Sequence, residues 1–152
     1  MNKHYITYLS LLPLFVLLQV LVLNEVLFYS YLNPYLYLAL ILSLPLKTPK
    51  WFLLVYAFFL GFFIDLFSGS LGFHSTATVL LAFVKPTIAM ISIPHNILGD
   101  YDKISMPKIG SKSFITYAFL LITIHNTVLF SLEHLSFSFS IFVKIFSSSI
   151  LT

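Results

Sequence analysis

From Tyr5 to Leu23 the chain runs without one charged side chain. A run of roughly 20 apolar residues is what an α-helix needs to cross the hydrocarbon core of a bilayer. Lys3 precedes the run, as a charged n-region would. A secretory h-region, however, is shorter, about 7–15 residues, and ends near small residues. No A-x-A-like site follows Leu23, so the segment is read as a retained first spanning helix.

Composition extends this inference to the whole chain. Of 152 residues, 59% are hydrophobic and 9% charged, with a mean hydropathy of +1.00. A soluble domain usually carries about a quarter charged residues. The expected fold class is therefore all-α and polytopic, a single transmembrane domain over 1–152. The chain has no cysteine, which excludes disulfides and thiolate metal sites. The formal charge of +3 comes with no dense basic cluster, so no nucleic-acid surface is expected. All basic residues are lysines, so no guanidinium clamp for phosphate or carboxylate is available.

Breakers divide the chain into expected spans at 5–23, 34–46, 51–67, 73–93 and 114–132, with the start of a sixth at 145–152. Asn24 and Glu25 close the first, and Asn33-Pro34 opens the short second. Pro45 and Pro49, with Lys47 and Lys50 beside them, end the second, because proline removes a donor and clashes with the preceding turn. A Ser68-Gly69-Ser70-Leu71-Gly72 turn separates the third from the fourth. Lys85-Pro86 leaves the end of the fourth open between Val84 and Ile93. The polar stretch 95–112, with Asp100, Asp102, Lys103, Lys108 and Lys112, reads as an aqueous loop, and Glu133-His134 end the fifth span.

Lysine placement gives an orientation. Lys3, the pair Lys47 and Lys50, and the trio Lys103, Lys108 and Lys112 fall before the first span and in alternate connections. The turns near 24–33, 68–72 and 133–135 have none. By the positive-inside rule the N-terminus is expected on the cytoplasmic side of an inner membrane. Trp51 and the tyrosines at 29, 31, 35 and 37 suit an interfacial belt. Lys144 would sit near the centre of a helix over 136–152, where it costs about 2.5–3.5 kcal/mol on insertion scales. The expected arrangement keeps 136–144 at the outer surface and begins a partial sixth helix near Ile145.

The segment from Gly61 to His74 concentrates the polar and small residues. Gly61, Asp65 and Gly69 are four apart and share a helix face, which Ser68 and Gly72 extend. Small residues let helices approach closely in lipid. Asp65 is the one acidic residue inside an expected span, so it should face the bundle or an aqueous vestibule. Two readings of it stand. In one, Asp65 is a proton, ion or substrate site, with His74 across the turn. In the other, its carboxylate accepts backbone N–H groups at the start of the fourth helix and meets the positive end of its dipole. His125 and Asn126 in the fifth span read either as a relay or as an interhelical hydrogen bond worth about 0.6–2 kcal/mol. His4, His95 and His134 fall at expected surfaces. No histidine pair has metal-ligand spacing with an acid. P-loop, G-x-S-x-G and H-E-x-x-H patterns are absent from the sequence, and neither an enzyme nor a cofactor site is expected.

The order of these features resembles the rod shape-determining MreD family, in a form like those of Bacteroidetes-type bacteria. The likeness covers most of the chain: Asn33-Pro34 before a short second helix, the Gly61/Asp65/Gly69/Gly72/His74 motif within GFFIDLFSGSLGFHS, and IHNTVLFSLE in the fifth span. It implies a six-helix bundle similar to the substrate-binding S-components of energy-coupling-factor vitamin transporters. It also implies a non-enzymatic role in the cell-elongation machinery. The implied partners are an MreC-like single-span protein and, through it, a RodA-like glycosyltransferase, a class B penicillin-binding protein and the MreB filament. Family members usually complete a sixth helix with a short basic tail, from which this chain departs at Thr152. The alternative is a vitamin-like small-molecule binding component of a transporter.

Overall fold

The computed structural model describes residues 3–24, 34–70, 72–94, 105–134 and 139–152. Every regular element among them is helical. In chain order these are α1 (Lys3–Leu18), continued by a π-helical turn (Gln19–Leu23), α2 (Leu38–Ser43), α3 (Lys50–Ser68), α4 (Phe73–Ser92), α5 (Met106–Ile109), α6 (Ser111–His134) and α7 (Phe139–Leu151). Four of them are long and apolar enough to cross a membrane: α1 with its π turn, α3, α4 and α6. Their bounds lie within three residues of those expected from the apolar runs. The sequence residues Glu25, Tyr29, Tyr31, Asn33, Leu71, His95, Asp100, Asp102 and Lys103 lie outside the described residues.

α3 and α4 form a tight antiparallel hairpin. Gly69 (φ 67°) ends α3 and Gly72 (φ 85°) begins α4, both in the left-handed region that glycine enters without penalty. Gly61 makes the close approach possible. A Cβ there would stand 2.4 Å from both Ser75 Cα and Thr78 Oγ1, so only a hydrogen fits between the two helices. Thr78 then donates from α4 to the Ala57 carbonyl of α3 at 2.9 Å. α6 packs against the other side of α4, and α7 packs on α6.

The second element differs from expectation. Instead of a span over 34–46, only Leu38–Ser43 is helical, about 9 Å long at 1.5 Å per residue. Turns precede it, and Leu44, the residue before Pro45, is extended (φ −58°, ψ 137°), as steric clash with proline demands. This short helix lies inside the bundle rather than across it: Tyr37, Ile41 and Leu44 are wholly buried. Tyr35 and Tyr37 are therefore core residues, not members of an interfacial belt, whereas Trp51 is 68% exposed.

The last element also departs from expectation. α7 starts at Phe139 and carries Lys144 within it, rather than beginning near Ile145. Its inward face is Ile145, Ser148 and Ser149, and the hydroxyls of Ser147 and Ser149 return to carbonyls four residues back at 2.6 and 2.7 Å. Small hydroxylated residues thus let α7 lie close on α6 while satisfying themselves locally. At 13 residues, about 20 Å, it is shorter than a bilayer core is thick. Large apolar side chains stand on the outward faces of the long helices, with Leu9, Leu17, Leu21, Phe58, Phe62, Phe67, Phe83 and Ile115 all exposed.

Candidate functional site

The buried polar groups form two layers around α2, one near the α3–α4 turn and one toward the lysine-bearing ends of α3 and α6. Asp65 anchors the first. Its Oδ1 accepts the His74 N–H at 3.0 Å and the Ser70 hydroxyl at 2.6 Å. Its Oδ2 accepts the Ser75 N–H at 2.9 Å and the Ser75 hydroxyl at 2.7 Å. His74 and Ser75 occupy the second and third positions of α4, whose orphan N–H groups an N-cap side chain normally satisfies. The N-cap residue is Gly72, which has no side chain to do so. Asp65, one helix back, performs that task, with its charge at the positive end of the α4 dipole. His74 completes the cluster, its Nδ1 lying 3.0 Å from Asp65 Oδ1. The sequence motif is thus brought together: Gly61 sets the hairpin spacing, Gly69 and Gly72 turn the chain, and Asp65 with His74 ties the turn to α4.

His125 and Asn126 lie across the bundle on α6, both fully buried. His125 Nδ1 is 3.2 Å from Asn126 Oδ1, which can only accept, so the proton of the neutral ring is on Nδ1. Nε2 then accepts from the Tyr37 hydroxyl at 3.0 Å. Asn126 Nδ2 donates to Ser149 Oγ of α7 at 3.1 Å, and that hydroxyl donates to the Ile145 carbonyl. Every donor in this chain points the same way, and the chain ends on a backbone carbonyl. It locks α2, α6 and α7 together but leaves no exit for a proton. The Asp65–His74 cluster meets it through ring contacts of Tyr35 and Tyr37, which sit edge-on to both histidines at centroid distances of 5.6–6.2 Å.

Gln19 closes the first layer. Its Oε1 accepts the Leu36 N–H at 2.9 Å, and its Nε2 donates to the Pro34 carbonyl at 3.0 Å and to Asn24 Oδ1 at 3.1 Å. Non-helical backbone at membrane depth must find such partners within the protein. Gln19 supplies them at the entrance to α2. The π turn begins at this residue.

The second layer sits at the other end of α2. Lys85 is 1% exposed, and its Nζ donates to the carbonyls of Ile41 (2.8 Å) and Leu44 (2.5 Å). The Tyr117 hydroxyl donates to Leu42 O at 3.3 Å and that of Tyr8 to Ser43 O at 2.8 Å. Tyr56 in turn donates to Tyr8 O at 3.0 Å. Each carbonyl from 41 to 44 therefore has a side-chain donor, where a helix end alone would leave them orphaned. A cation here also faces the negative end of the helix dipole.

No motif marks Gln19, Lys85, Tyr8 or Tyr117 as functional. Two of them carry a local signal: Gln19 is the lone amide in the first apolar run, and Lys85 is flanked on both sides by apolar residues of the fourth. Among the described residues no group of three His, Asp or Glu side chains could hold a metal ion. Comparison with protein-family models, curated proteins and solved structures returns no match.

Proposed function

We propose that this chain is a non-enzymatic membrane scaffold of the MreD type, acting in bacterial cell elongation. It would sit in the inner membrane with its N-terminus cytoplasmic. The observation that carries the non-catalytic part is the use made of the buried ionisable groups. Asp65 accepts from the first turn of α4, and Lys85 donates to the carbonyls of Ile41 and Leu44 at the end of α2. Such use of buried ionisable groups to hold backbone in place supports a structural role for them. The family assignment and the S-component-like fold rest on the sequence resemblance, as do the MreC-like, RodA-like and penicillin-binding partners.

As a scaffold, the protein would present its lipid-embedded surface to a partner's membrane anchor. Exposed Phe58, Phe59, Phe62 and Phe67 on α3 supply large apolar area for such a contact. The second reading, a vitamin-like binding component, is less well supported. The polar side chains that would recognise a ligand already have partners: Gln19 the backbone, Tyr37 and His125 each other, and His74 the Asp65 carboxylate. Affinity purification from native membranes in mild detergent tests the class. Recovery of cell-wall elongation proteins is expected; recovery of an ATPase pair instead would overturn the scaffold reading.

A further inference from the structure

A cavity of about 380 Å³ opens between α2, α5 and α6. Leu38 and Leu42 line one wall, Phe114, Ala118 and Ile122 the other, and Met106 the end nearest α5. Phe114 and Ile122 are eight residues apart on one helix face, so the cavity runs about 12 Å along α6. It begins close to the first turn of α6 and ends near the middle of that helix. Its length therefore matches the hydrocarbon of one leaflet, roughly 15 Å, and not the full membrane.

Size and lining restrict the occupant. A peptide helix about 10–12 Å across would need on the order of 1,000 Å³ over the same length. The lining is mainly apolar, with hydroxyl-bearing Tyr35, Ser43, Ser105 and Thr152 among it; Ser43 donates to the Leu40 carbonyl at 3.1 Å and Thr152 to the Ser148 carbonyl at 2.8 Å. That leaves little to orient a polar ligand. Charge at the mouth completes the picture. Lys108 lies in α5 and Lys112 in the first turn of α6, both exposed and between Met106 and Phe114 in sequence. Gly110 (φ 83°) makes the turn that sets these two lysines side by side in sequence at one membrane face. Met106, 43% exposed in the same short turn, suits the boundary between acyl chains and headgroups.

We propose that this cavity seats one acyl chain of an anionic glycerophospholipid from the leaflet at the lysine end, with the headgroup phosphate held by Lys108 and Lys112. The inference needs the four long helices to cross a bilayer; it needs neither a particular protein partner nor a particular orientation. A lysine near an anionic membrane surface contributes roughly fivefold in binding, so the pair gives about 25-fold.

The test uses the full chain in mild detergent and two photoreactive probes: phosphatidylglycerol and phosphatidylcholine, each with the same mid-chain diazirine. Cross-links mapped by mass spectrometry are expected on Leu42, Ala118 and Ile122, with phosphatidylglycerol favoured. The double variant K108Q/K112Q should bring phosphatidylglycerol labelling down toward the phosphatidylcholine level, by about 25-fold at subsaturating lipid. Ala118→Phe should fill the cavity and abolish its labelling by both lipids; Ala39→Phe does the same from the opposite wall if the first variant does not fold. Equal labelling of the cavity by the two lipids in the native chain would overturn the proposal. So would undiminished labelling in a folded Ala118→Phe protein. Capture of a polypeptide, rather than lipid, by a photoreactive residue at position 118 in native membranes would also overturn it.

Discussion

Replacing Lys85 by methionine removes an ammonium while keeping most of the side chain's volume. The native Nζ makes two charge-assisted bonds, to Ile41 O at 2.8 Å and Leu44 O at 2.5 Å. Bonds to a charged group are worth about 1.5–3 kcal/mol each, so roughly 3–6 kcal/mol of interaction is lost. Against this, the variant no longer places a lysine in the membrane interior, which relieves about 2.5–3.5 kcal/mol. Mid-range values leave a net destabilisation of about 1.5 kcal/mol. For a chain of this size that corresponds to a fall of roughly 3–6 °C in the unfolding midpoint. The effect should be concentrated on α2, because only its last carbonyls lose their donors. Hydrogen exchange in detergent micelles is the decisive assay: amides over 38–46 should lose protection while those of the α3–α4 hairpin keep theirs. Unchanged exchange over 38–46, with an unfolding midpoint at or above the native one, would refute the assignment of Lys85 as the clasp of α2.

Three further outcomes follow from the same geometry. Asp65→Asn turns an amide toward N–H donors that the carboxylate accepted, so it should cost about 2–4 kcal/mol, more than its small change in shape suggests; thermal unfolding in detergent followed by gel filtration reads this, and a stability within 0.5 kcal/mol of native, on the order of a neutral surface change, would count against the capping role. Gly61→Ala and Gly69→Ala should separate sharply, since a Cβ at 61 meets the α4 backbone at 2.4 Å while one at 69 meets nothing within 4 Å. The first should cost at least about 1–3 kcal/mol through overpacking and the second about 1–2 kcal/mol through backbone strain alone, with loss of hairpin cross-linking between introduced cysteines expected in the first only. Tyr37→Phe leaves the buried His125 Nε2 without its donor and should cost about 1–3 kcal/mol, which chemical denaturation in mixed micelles would register.

What the sequence made legible was whatever depends on one helix at a time. Four long apolar runs set the four long helices, because in lipid a charge-free run of that length has few other ways to satisfy its backbone. Gly69 and Gly72 marked the hairpin turn, and the spacing of Gly61, Asp65 and Gly69 put them on one face. The misreadings arose where long-range partners decide. Residues 34–46 are apolar enough to suggest a span, yet their backbone is broken at both ends and held by Gln19, Lys85, Tyr8 and Tyr117 from other elements. No local pattern announces those partners. Lys85 was hidden for a related reason: beside Pro86 it looks like the end of a helix, although α4 continues to Ser92. Lys144 reads as a surface group when the cost of a central lysine is applied to an isolated span, whereas α7 begins at Phe139 and carries that residue within it.

The way α2 is held also bears on the choice between scaffold and carrier. Six bonds from three other helices fix the backbone of residues 34–44, which contain α2: two from Gln19, two from Lys85, one from Tyr8 and one from Tyr117. At about 0.5–1.5 kcal/mol net for each of the four neutral bonds and about 1.5–3 for each of the two from Lys85, releasing them together costs roughly 5–12 kcal/mol. A state with α2 displaced would then be populated on the order of once in 10⁴ to 10⁹ molecules. A carrier built on movement of this element needs a ligand that binds the displaced state more tightly by at least that free energy. Gln19, Lys85, Tyr8 and Tyr117, the polar side chains bonded to this segment's backbone, are already committed to the clasp. A scaffold makes no such demand, because it works by keeping one surface in one shape. Hydrogen exchange over 38–46 therefore separates the two roles as well: protection that no vitamin-like ligand alters fits a fixed element, whereas protection that collapses on ligand addition would mark a moving one.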